Sequence, residues 1–163
     1  MGLASIFFAS KGFIKRVYGF EPFKPTYERA IENIGLNSAV IRDKIETFPY
    51  GLGDSNDTRS FVYNKENHGI MRTGQGSVVA KPEDENVETV EIREAGPELI
   101  KIMDQYPDAF FAVKMDCEGG EFDIYPNLIK HGAFDRIGYI MMETHDGKED
   151  LLVDMLSNEG FIV

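Results

Sequence analysis

Apolar and polar positions change period several times along the chain, and each change marks an element. Leu3 to about Lys11 repeats at helical spacing and stops at Gly12. Val17-Tyr18-Gly19-Phe20 reads as a short strand that ends abruptly at Glu21-Pro22. Lys24-Pro25-Thr26 opens a helix with Pro25 in the first turn, where a missing N–H is tolerated. Tyr27, Ala30, Ile31 and Ile34 supply its apolar stripe, and Gly35 ends it. Ser38 to Arg42 and Lys44 to Tyr50 are extended candidates, closed by a turn at Gly51-Leu52-Gly53-Asp54. Arg59 to Tyr63 and Val87 to Arg93 alternate as strands with one wet face.

Between those two strands lies Asn64 to Asn86, the most polar stretch, carrying Gly69, Gly74, Gly76 and Pro82. Its length marks a functional loop or a mobile one. Gly96-Pro97-Glu98 begins another helix, which ends near Tyr106-Pro107. Ala109 to Met115 is a continuous apolar run and predicts a buried parallel strand; Ile137 to Met142 predicts a second. Phe122 to Lys130 and Glu149 to Asn158 read as helices, and Gly160 to Val163 as the opening of a strand. Strands alternating with helices predict an α/β fold, a Rossmann-like doubly wound and mainly parallel sheet with a short antiparallel insertion. At 163 residues, one domain spanning 1–163 is expected.

Charge narrows the partners. Twenty-eight acids against 17 bases leave a formal charge of −11, which repels phosphate backbones and anionic membrane surfaces. Neither nucleic acid nor membrane is expected as a partner. A single Cys excludes an internal disulfide and a cysteine-rich zinc site. The apolar run at Ile6-Phe7-Phe8-Ala9 falls well short of the ~18 residues a spanning helix needs. Lys11, Lys15 and Arg16 follow that run, whereas a signal peptide carries its basic residues first, so a cytoplasmic location is expected.

Candidate chemistry collects at strand ends. Three apolar runs finish in acid: the first at Glu21, the second at Asp116 with Glu118 two residues later, the third at Glu143 with His145 two later. In a parallel sheet such residues project from one edge, where ligands bind. An acid after an early strand of such a sheet commonly accepts hydrogen bonds from a ribose hydroxyl pair. Gly119-Gly120 permits a tight turn, and Asp116 and Glu118 near one site would repel, raising one of them toward use as a base. Glu121 falls in the first turn of the next helix, where an acid offsets the dipole. Cys117 has no neighbouring His and reads as inert core. His131 suits a helix end, His68 lies in the polar loop facing substrate or simply solvent, and His145 is the best-placed acid–base histidine. Asp116, Glu118, Glu143 and His145 are an oxygen-rich set, but nothing in their spacing demands a metal, and none is assigned.

These pieces resemble the FkbM family of AdoMet-dependent methyltransferases. The matching segments are Val17 to Pro22, Tyr50 to Asp54, Val113-Lys114-Met115-Asp116-Cys117-Glu118-Gly119 and Ile140 to His145, in the family's order and over nearly the whole chain. The resemblance implies a class I methyltransferase fold, S-adenosylmethionine as cofactor, and methyl transfer to an oxygen of a sugar, glycoconjugate or natural product. It implies that Glu21 holds the cofactor ribose, with Pro22 beside it, and that Pro49 and Tyr50 lie near the adenine. Asp116 would sit by the methionine part and the reacting centre, with Glu118 close by. Glu143 and His145 would line the acceptor side, and the loop residue His68 is a further substrate candidate. An alcohol acceptor must lose a proton as it attacks, so a base is needed, and both Asp116 and His145 qualify.

Family members open with a strand and a D-x-G-x-N-x-G turn. Gly2 matches only the last glycine of that turn, so the expectation is a domain lacking its first strand and its final strands, with exposed sheet edges that favour association. Two alternatives stand beside the enzyme: a non-catalytic remnant of the same fold, and a nicotinamide-dependent dehydrogenase whose ribose acid would resemble Glu21. The acceptor and the oligomeric state are not legible in the sequence.

Overall fold

A computed structural model describes residues 2–62, 87–117, 119–143 and 149–163. In chain order the elements are α1 (Leu3–Ala9), β1 (Val17–Phe20), α2 (Lys24–Gly35), α3 (Ala39–Arg42), β2 (Ile45–Phe48), β3 (Gly51–Gly53), β4 (Asp57–Val62) and β5 (Val87–Glu94). They continue with α4 (Ala95–Met103), β6 (Phe111–Met115), α5 (Glu121–Lys130), a 3-10 turn at Phe134–Arg136, β7 (Ile137–Met142) and α6 (Glu149–Asn158). The fold is mixed α/β, with several short sheets among the described residues. In one, β1 runs parallel to β2, Val17 beside Ile45 and Phe20 beside Phe48. In another, β5 lies between β3, to which it is parallel, and β4, to which it is antiparallel. A third pairs β6 with β7 in parallel, Met115 beside Met142. No helix among the described residues is long and apolar enough to cross a membrane.

Most elements fall where hydrophobic period places them, and the departures have local causes. Gly51-Leu52-Gly53 is a strand rather than a turn. A Cβ on Gly51 would stand 2.8 Å from Ile92 Cδ1, and one on Gly53 would stand 2.7 Å from Ile92 Cγ2. The glycines leave room for the Ile92 side chain, which lies over β3 where their own side chains would stand. Ser38 to Arg42 is helical rather than extended, because Ser38 O accepts the N–H groups of both Ile41 and Arg42. Val40 lies exposed there, so its β-branch has no sheet surface to pack on. In α2 the buried stripe is Thr26, Ala30 and Ile34, while Ile31 faces solvent. The strands read as fully buried are covered on one face only: Tyr139 is 53% and Met141 43% exposed. Residues 161–163 form no strand; Phe161 instead turns back, its N–H on Leu156 O and its ring 5.1 Å from Phe134.

The principal core gathers Ala95 and Met103 of α4, Met115 of β6, Ile124, Tyr125 and Leu128 of α5, Phe134, Ile137 of β7 and Leu156 of α6. The Tyr125 hydroxyl donates to Met155 O at 2.7 Å, which satisfies the phenol inside an apolar cluster and ties α6 to α5. A second cluster, Phe23, Phe61, Val90 and Ile92, fixes the start of α2 against β4 and β5.

The middle sheet is joined to α5 by polar groups. Asn127 is 3% exposed, and its Oδ1 accepts the Gly96 N–H at 2.8 Å. Its Nδ2 donates to Asp54 O at 2.9 Å and to Glu94 Oε1 at 3.1 Å. Glu94 also receives His131 Nε2 at 2.8 Å and Lys130 Nζ at 3.2 Å. Hydrogen bonds from Asn127, His131 and Lys130 hold the Glu94 carboxyl down at about 2. His131 therefore serves at the end of α5 as the structural residue its position suggests. Asn127→Ala strands a helix N–H and a carbonyl at a buried site, which costs about 2–3 kcal/mol. Equilibrium urea unfolding measures this, and a loss below about 0.5 kcal/mol would show that Asn127 does not hold the junction.

Candidate functional site

Glu21 follows directly on β1. Its N–H donates to Phe48 O at 3.1 Å, extending the β1–β2 ladder, and one carboxyl oxygen accepts the Phe23 N–H at 3.1 Å. Burial pushes the carboxyl from its ordinary 4.5 up to about 7; the Phe23 N–H opposes that rise, and nearby Glu88 adds to it. Glu88 is held in place by the Lys24 N–H. The turn at Pro22 packs against β3, its Cβ and Cγ lying 3.3 Å from where a Gly51 Cβ would be.

Tyr50 is buried on the same side of the molecule, its ring centroid 5.7 Å from Phe20 and 5.4 Å from Phe48. Its hydroxyl donates to Glu98 Oε2 at 2.7 Å, and the Arg93 guanidinium lies 3.8 Å above its ring. Burial and Glu98 push the phenol upward, so it acts as a neutral hydrogen-bonding group. Pro49 precedes it, exposed. Gly2 caps α1 with φ 72, and a Cβ there would stand 3.1 Å from Ala30 Cβ, so only glycine fits between the two helices.

Asp116 follows directly on β6. It is exposed, and Lys114, two residues back on the same face of the strand, donates to its Oδ2 at 2.8 Å. Asp116 therefore faces a cation; its expected neighbour Glu118 lies outside the described residues. The exposed Glu143 follows β7, and its N–H donates to Met115 O at 3.0 Å, which sets it beside the end of β6. Cys117 is inert: burial pushes its thiol up to about 11. Glu118, His68 and His145 lie outside the described residues, as does the polar loop from Asn64 to Asn86.

Two groups of site residues result. One is Glu21, Pro22 and Tyr50, gathered against β3 and β5; the other is Asp116 and Glu143 at the end of the β6–β7 pair. Helix α1 touches both sides. It packs on β1, where the Ser5 hydroxyl lies 3.4 Å from a Cβ built on Gly19. It also borders a cleft of about 360 Å³ lined by Leu3, Ala4, Phe7, Phe8, Lys114 and Met141. A larger groove of about 710 Å³ lies on the middle sheet between Asn56, Asp57, Arg93 and Glu98, but it includes none of the strand-end acids. No group of three or more metal-binding side chains gathers among the described residues. Sequence reasoning gave Lys114 no role and gave Glu121 only a dipole role. Yet Lys114 pairs with Asp116, and Glu121 is fully buried against the turn that precedes it.

The family model described as "Methyltransferase FkbM domain" matches residues 3–163. No curated protein and no solved structure matches the chain.

The raised Glu21 carboxyl fixes the sign of a pH effect. Below about 4.5 the folded and unfolded chains are both protonated, and the stability is full. As pH rises, the unfolded chain ionises first, so stability falls until the folded carboxyl also ionises near 7. The loss across that window is about 3 kcal/mol for a shift from 4.5 to about 7. Glu21→Gln should abolish this slope and leave the protein more stable than wild type at neutral pH. Urea titrations of both proteins at several pH values measure it; parallel curves would place the slope elsewhere.

Proposed function

Since the chain belongs to the FkbM methyltransferase family, we propose that it transfers a methyl group from S-adenosylmethionine to an oxygen of a sugar, glycoconjugate or natural product. The observation that carries the cofactor assignment is Glu21: an acid at the end of a parallel strand, desolvated, with one oxygen used by the Phe23 N–H. Such a group is costly to keep unless something donates to it, and a pair of ribose hydroxyls has the right chemistry. The residues fit the cofactor in other respects. Gly2 admits no side chain at the start of α1, and Phe20, Phe48 and the buried Tyr50 gather as an aromatic cluster beside the end of β1, a surface suited to an adenine face.

When bound, S-adenosylmethionine supplies a methyl group on a sulfonium, which departs as a neutral thioether. The protein's part is alignment, exclusion of water and acceptance of a proton. In this reading Glu21, Pro22, Pro49 and Tyr50 hold the nucleoside end, and Gly2 lies toward the methionine end. Asp116 stands by the methionine part and the reacting centre with Glu118, and Asp116 or His145 takes the acceptor's proton. Glu143, His145 and His68 line the acceptor side.

Calorimetric titration with S-adenosylmethionine tests the assignment. The wild type should bind, and binding should strengthen from about pH 6 to about pH 8 as the Glu21 carboxylate forms to receive the hydroxyls. Glu21→Gln should weaken binding by about 10–100-fold, the worth of a hydrogen bond to a charged group. Failure of the wild type to bind, or equal binding by the variant, would remove the basis for the cofactor assignment.

A further inference from the structure

Glu121 opens α5, yet it does not face solvent as a residue that merely offsets a helix dipole would. It is 0% exposed, the sole fully buried acid among the described residues. Its carboxylate points backwards, out of the helix and into the turn that follows β6. Oε2 accepts the Gly119 N–H at 2.7 Å, and Oε1 accepts the Cys117 N–H at 3.3 Å. The Gly120 N–H donates to Cys117 O at 3.0 Å and closes the turn, with Gly119 at φ 100. That backbone angle leaves the amides of Cys117 and Gly119 aimed at a common point, which the carboxylate fills.

Asp116 leads into this turn, so its placement depends on the course of the backbone just after it. Lys114 fixes one carboxylate oxygen of Asp116 from the strand side, at 2.8 Å. From the loop side, the course of the backbone after it is held by the amides that Glu121 collects. A fully buried carboxylate is costly unless it is hydrogen-bonded, and these two amides are part of what compensates it. A neutral amide in its place presents one acceptor and one donor to two N–H groups, so one of the two contacts becomes donor against donor.

We propose that Glu121 is a positioning residue. Its buried carboxylate, by taking the Cys117 and Gly119 amides, fixes the turn that sets Asp116 at the donor site. The assignment rests on the methyl-donor reading above. Glu121 touches no reactant itself and acts through the turn.

The test is a double-mutant cycle in S-adenosylmethionine affinity on the full chain, using Glu121→Gln, Asp116→Asn and the double variant. Amide exchange at Gly119 and the thermal midpoint are followed in parallel. In Glu121→Gln, exchange at Gly119 should speed up while amides in β5 keep their rates, and affinity should fall by about tenfold. The double variant should bind no more weakly than the weaker single variant, because both changes disable one device. Losses that multiply in the double variant would mean Glu121 acts independently of Asp116 and would overturn the assignment. So would unchanged affinity in Glu121→Gln. Should that variant fail to fold, Gly119→Ala strains the same turn at φ 100, and its affinity loss must likewise vanish against Asp116→Asn. Absence of binding by the wild type overturns the methyl-donor reading and this assignment together; binding by the wild type with no effect of either turn variant overturns this assignment alone.

Discussion

A single buried amide joins the three-stranded sheet to the helices α4 and α5. Asn127 takes an N–H in the first turn of α4, gives to the carbonyl just after β3, and braces Glu94 at the β5–α4 junction. Each of these groups lies where a regular element stops and its own ladder cannot satisfy it. A short apolar side chain at that point would fill space and leave all three wanting. The amide does what packing cannot: it specifies the angle at which the middle sheet meets α5. The placement of Pro22, Gly51 and Tyr50, which lean on that sheet, depends on that angle.

The strand-end acids show how differently a fold can treat one residue type. Glu21 is desolvated and inclined to keep its proton; Asp116 is exposed and paired with Lys114; Glu94 is gripped by three donors and ionised throughout the physiological range. Glu121 is buried but met by amides. At Glu21 burial outweighs what its amide contact offsets, and a buried acid left so is a candidate for binding. In a chain of net charge −11, where acids are the commonest surface group, such sorting by environment separates candidates from solvated residues.

Much of the fold was legible because period and punctuation are local. The first-turn proline of α2, the alternation in β4 and β5 and the apolar run of β6 each report their own element. The mistakes came where a residue's reason lay elsewhere in the chain. Gly51 and Gly53 look like a turn until Ile92, some forty positions on, is seen to press on them. Ser38 to Arg42 carries strand-favouring residues but has no sheet to join. The acids at the strand ends were legible as candidates from position alone; the desolvation at Glu21 was not, since it is set by tertiary neighbours. The cation at Asp116, by contrast, is Lys114, two residues back, and could have been read from strand alternation. Glu121 had one available signal: an acid immediately after two glycines at a helix start is within reach of the amides that a glycine turn exposes.

The same turn contains the chain's one cysteine. With its thiol pushed up to about 11 by burial, Cys117 is protonated at neutral pH although the residue is only half-buried. Alkylation speeds up whenever the backbone between β6 and α5 opens and returns the thiol to water. The rate at which a maleimide labels the native protein is thus a built-in clock for the breathing of this segment, with no engineered probe and no competing thiol to confuse it.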